Sequence, residues 1–92
     1  MWMRGVSDRE RNYYKQKLEY IKSLHFVKYN VYGEEIMDSG EICDDIFDFA
    51  VKEGFIFEEE HKSVTKKKVV STFILTKGHI TIVFSCIIRR KG

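Results

Sequence analysis

The 92-residue chain contains no proline and one alanine, Ala50. With no proline ring to stop an element, breaks must fall at glycines or where apolar periodicity fails. Cysteine is nearly absent as well: Cys43 and Cys86 stand far apart with no C-x-x-C. That excludes a disulfide-stapled scaffold and points to reduced, buried thiols in a cytoplasmic protein. Long apolar runs are missing. The start, MWMRGVSDRE, lacks a signal-peptide core, and the longest apolar run, Ile80 to Ile88, is about half the length of a membrane-spanning helix. No membrane partner is expected. A large charge excess is missing too, because the net charge is only +2. Nucleic-acid affinity would therefore have to come from local clustering. There is no GxSxG, Walker loop, GxGxxG or HExxH, so no catalytic residue is assigned and a non-enzymatic role is expected. His25, His61 and His79 are scattered, with neither cysteine nor a second histidine at ligand spacing. A zinc site would have to be assembled from distant segments, and no metal or cofactor is expected.

What remains is enough for one domain. The chain is 43% hydrophobic and 33% charged in both signs, whereas disorder needs low hydrophobicity and a large net charge. Its abundance of Lys, Ile, Glu, Phe and Tyr resembles usage in A+T-rich genomes and in viral or mobile-element proteins.

Ser7-Asp8-Arg9-Glu10 fits a capping box. Behind it Tyr14, Leu18, Ile21 and His25 recur at helical spacing, so residues 8–25 are expected to form an amphipathic helix. Its aromatic stripe suits core packing or a homodimer seam. FVKYNVY over 26–32 reads as a short strand, and 33–40 as one or two helical turns. Residues 41–53 place Ile42, Ile46, Phe49 and Ala50 on one face. Glu41, Asp45, Asp48 and Lys52 lie on the other, with Asp44 beside them. Gly54 is placed to end that helix in a left-handed cap. Strands are expected over 55–60, 67–76 and 79–89, with a charged connection between the first two. The last segment also fits a helical period, but its Ile, Thr and Val density favours a strand. The expected class is α+β: a long N-terminal helix, a short strand, a second helix and a three-stranded antiparallel β-meander.

This order, with GEEI at 33–36, KEGFI at 52–56 and FILTKG at 73–78, resembles the winged helix-turn-helix of small transcription regulators. The resemblance spans about residues 26–78. It implies DNA binding, with Glu41 to Lys52 as recognition helix and His61 to Lys68 as wing tip. Charge inverts that assignment. Glu41, Asp44, Asp45 and Asp48 would repel phosphate, and only Lys52 offsets them.

Two charged clusters are therefore the candidate sites. Lys62, Lys66, Lys67 and Lys68 form a basic loop, and Arg89, Arg90 and Lys91 a basic C-terminal run. A hairpin closed at 77–78 sets 66–68 across from roughly 87–89, merging them into one patch. It would bind nucleic acid, duplex DNA in particular, or else serve only as a solvated edge that blocks aggregation. The acidic face of helix 41–53 would instead dock a basic protein surface, or only keep that helix soluble. A third pattern is similar to RelE-like ribonuclease toxins, whose resemblance implies roles for Lys66, His79, Arg89 and Arg90.

Overall fold

Ser7 starts the first helix as its chemistry dictates. Its side chain accepts from the Glu10 N–H at 3.2 Å, and the Glu10 carboxylate accepts from the Ser7 N–H at 3.0 Å. These two bonds satisfy donors that a helix start otherwise leaves free. The helix then runs 18 residues and buries Tyr14 and Leu18. The second helix ends at Gly54, whose φ of 80° lets its N–H turn back onto the last carbonyls.

The computed structural model describes residues 1–33, 35–37 and 40–89. In chain order the elements are β1 (Trp2–Arg4), α1 (Asp8–His25), β2 (Phe26–Tyr29), β3 (Glu35–Met37), α2 (Glu41–Glu53), β4 (Ile56–Thr65), β5 (Lys68–Lys77) and β6 (Ile80–Arg89). No described helix is long and apolar enough to cross a membrane.

The α+β class holds, but the sheet is larger than a three-stranded meander. It has six strands in the order β2-β3-β6-β5-β4, with β1 also on β6. The antiparallel run β4-β5-β6 forms one part of it. The outer edge of β6 is shared. β1 pairs antiparallel at residues 81–83, and β3 pairs parallel at residues 87–88. The helical turns expected over 33–40 are replaced at 35–37 by β3, and positions 34, 38 and 39 lie outside the described residues. A strand therefore precedes α2 where a helix-turn-helix would place its first helix.

The charged connection expected after residue 60 is also mostly strand, since β4 continues to Thr65. This outer strand extends past the helices, so nearly all of it faces water. Only Phe57 packs against the core, so the strand shows no apolar alternation from which it could be read.

Both helices lie on one face of the sheet. Tyr14, Leu18, Ile42, Ile46, Phe49 and Ala50 pack onto Phe55, Phe73, Leu75, Ile82, Phe84, Cys86 and Ile88. Burying a side chain such as fully enclosed Phe73 is worth about 1.5–3 kcal/mol. Directly paired residues share a face, so the opposite, helix-free face follows from the register. It carries Trp2, Arg4, Ile74, Thr81, Val83, Ser85 and Ile87.

Candidate nucleic-acid interface

Four pairings on the helix-free face define one row across five strands. Lys28 opposes Ile36, Ile36 opposes Ile87, Ile87 opposes Val70, and Val70 opposes Lys62. The row reads Lys-Ile-Ile-Val-Lys: an aliphatic centre with a lysine on each edge strand. Beyond it Lys68 opposes Arg89, and Lys66 and Lys67 form the β4–β5 turn. Lys28, Ile36, Lys67, Lys68, Ile87 and Arg89 line one shallow concavity here, together with Asn30.

The two clusters expected to meet, 66–68 and 87–89, are thus adjacent. Arg90 and Lys91 lie outside the described residues. Lys28 was not anticipated. Its place between Val27 and Tyr29 marks it as an outward-facing strand residue, but its neighbours depend on β3 pairing with β6. Glu60 and Glu58 share the face and bound the patch on one side, opposite Thr72 and Ile74. Four strand spacings of about 4.8 Å put Lys28 and Lys62 roughly 19 Å apart at the backbone.

The acidic face of α2 lies beyond the sheet from this row. Glu41, Asp44 and Asp48 are exposed. Asp45 is half-buried, and its carboxylate is 2.5 Å from His25 Nε2 on α1. The contact ties the C-terminal turn of α1 to α2, so Asp45 serves the helix pair as well as the surface.

The residues suggested by the toxin resemblance do not gather. His79 lies in the β5–β6 turn, whereas Lys66 and Arg89 are at the other end of the hairpin. Nine residue steps lead from one end of β6 to the other, about 30 Å.

No protein-family model, curated protein or solved structure matches this chain.

Proposed function

We propose that this protein is a small, non-enzymatic nucleic-acid-binding regulator that holds the phosphates of duplex DNA with the basic end of its helix-free sheet face. One observation carries the reading: Lys28, Lys62, Lys67, Lys68 and Arg89 surround the aliphatic centre of Ile36, Ile87 and Val70. The separation of the edge lysines exceeds the ~12 Å width of a major groove, so they can reach phosphates on both of its borders. The row contains no aromatic side chain. Trp2, paired with Val83, lies four residues along β6, about 13 Å away. Single-stranded ligands are held chiefly by stacking on aromatics, and that lack favours a duplex backbone.

In this reading the β4–β5 hairpin acts as the wing, and α2 does not enter the groove. A duplex on the helix-free face keeps its phosphates away from Glu41, Asp44 and Asp48, which the sheet holds on its other side. Binding should fall steeply with salt. Neutralising about four phosphates gives a log–log slope near −4, and removing three of those contacts takes away roughly 2–3 units of slope. Titration of a duplex across a salt series, with wild type and the Lys66→Ala/Lys67→Ala/Lys68→Ala variant, tests this. Salt-insensitive binding, or an unchanged triple variant, rejects it.

A second reading has its own support. Tyr20 and Leu24 are 64% and 58% exposed beside Asp45 and Asp48 along the cleft between the helices. An apolar strip next to carboxylates suits a basic amphipathic segment of another protein. The same two side chains would form the seam of a homodimer through residues 8–25. Charge reversal at Asp44 and Asp48 that abolishes partner capture, with duplex binding intact, would favour this reading.

A further inference from the structure

Helix α2 and strand β4 run with matched steps. Phe47 meets Phe57 edge-on, ring centroids 5.7 Å apart. Four residues earlier on the helix, about 6 Å of rise, Cys43 meets Glu59, about 7 Å further along the strand, and His61, two residues beyond it. The Cys43 thiol sulfur, a Glu59 carboxylate oxygen and a His61 ring nitrogen all lie within 4.8 Å of one another.

An independent contact fixes the imidazole. His61 Nδ1 is 2.7 Å from Ser71 Oγ, and Ser71 is fully buried, the one buried polar residue among those described. Donation from Nδ1–H to that hydroxyl leaves the Nε2 lone pair on the other side of the ring. A metal-binding histidine is oriented in this way. Nε2 stands 3.5 Å from Glu59 Oε2. That is long for a hydrogen bond, but two ligands at about 2.0–2.2 Å from a tetrahedral ion are roughly 3.3–3.6 Å apart. A mixed thiol, imidazole and carboxylate set suits zinc.

We propose that Cys43, Glu59 and His61 bind a zinc ion, with Ser71 orienting the imidazole and a fourth position open on the solvent side. The side chains of His61 and Glu59 are 42% and 38% exposed, so the ion has a path of entry. Burial and then the Glu59 charge push the Cys43 thiol up to about 11. Zinc takes the sulfur as thiolate, so the thiol proton has to leave when the ion binds. The S–H bond breaks, the zinc–sulfur bond forms and one proton passes to solvent. This site lies across the sheet from the basic row and does not depend on the nucleic-acid reading.

Cobalt(II) provides the test. Protein freed of metal by chelator and titrated with Co2+ should develop a thiolate-to-cobalt charge-transfer band and tetrahedral d–d absorption, both lost on adding Zn2+. Cys43→Ser should remove the charge-transfer band. His61→Gln and Glu59→Gln, on an exposed strand, should each weaken binding at least tenfold. Ser71→Ala should weaken it about tenfold. Absence of the band in wild type overturns the proposal, as does its persistence in Cys43→Ser or full affinity in both strand variants.

Discussion

Strand β5 begins and ends with a lysine, and the two have opposite surroundings. Lys77 is half-buried beneath α1. Its ammonium donates to the Tyr14 hydroxyl at 2.9 Å and to the Glu53 carbonyl at 3.0 Å, and lies 4.8 Å from the Phe55 ring centre. The fold thus holds that charge with two hydrogen bonds and the faces of two rings, Tyr14 and Phe55. Lys68, about 30 Å away along the strand, instead follows the exposed Lys66-Lys67 turn beside Lys62 and Arg89. The contrast shows that a lysine's neighbours decide its role. At the closed end of the hairpin the charge joins a helix, a helix terminus and a strand. At the open end the like charges of Lys62, Lys66, Lys67 and Lys68 share one surface, and an added anion would offset their repulsion.

Substitutions at the two ends should separate stability from binding. The largest loss is expected for Gly5→Ala, next to the closed end. Gly5 has φ 77°, and an added Cβ would overlap the His79 carbonyl oxygen. The left-handed conformation and the backbone clash together should cost about 3 kcal/mol in a denaturant melt. Lys77→Ala removes two charged hydrogen bonds and two cation–π contacts, so a loss of about 2 kcal/mol is expected, with duplex binding unchanged in the folded protein. Removing the cap with Ser7→Ala should cost about 1 kcal/mol. The smallest stability change, within about 0.5 kcal/mol, belongs to the Lys66, Lys67 and Lys68 triple alanine variant, despite its large effect on binding. If that variant melts like Lys77→Ala, the contrast between the two ends fails.

Acid titration sharpens the same contrast. Hydrogen bonds from the Ser7 backbone and side chain hold the Glu10 carboxyl below its ordinary value of 4.5. A depressed folded value means that its contribution is complete above the ordinary range and disappears as pH falls through the folded value. Glu10→Gln, which removes the titrating carboxylate, should therefore flatten that limb of a pH–stability curve, while the triple lysine variant leaves it unchanged.

The helices were legible because their signals are local. The capping box fixes the start of α1, the Gly54 cap fixes the end of α2, and apolar spacing gives their faces. Alignment of 66–68 with 87–89 followed from counting back from the turn at Gly78. What could not be read depends on distant pairing. The three-residue strands β1 and β3 are too short to show a period, and each is defined by where it meets β6. Charged β4 is covered only over its first half, by α2, and Phe57 is the one apolar residue there that packs on the core, too little to show a pattern. Lys28 reaches the basic row only through β3. Cys43, Glu59 and His61 converge only once α2 lies over β4.

The most direct test is a backbone amide chemical-shift titration of the 15N-labelled protein with a short DNA duplex at low salt. The account predicts shifts concentrated at Lys28, Ile36, Lys62, Lys66 to Val70 and Ile87 to Arg89, with Glu41 to Lys52 and the turn at Gly78-His79 unmoved. Shifts concentrated along α2, or none in the basic row, would contradict it.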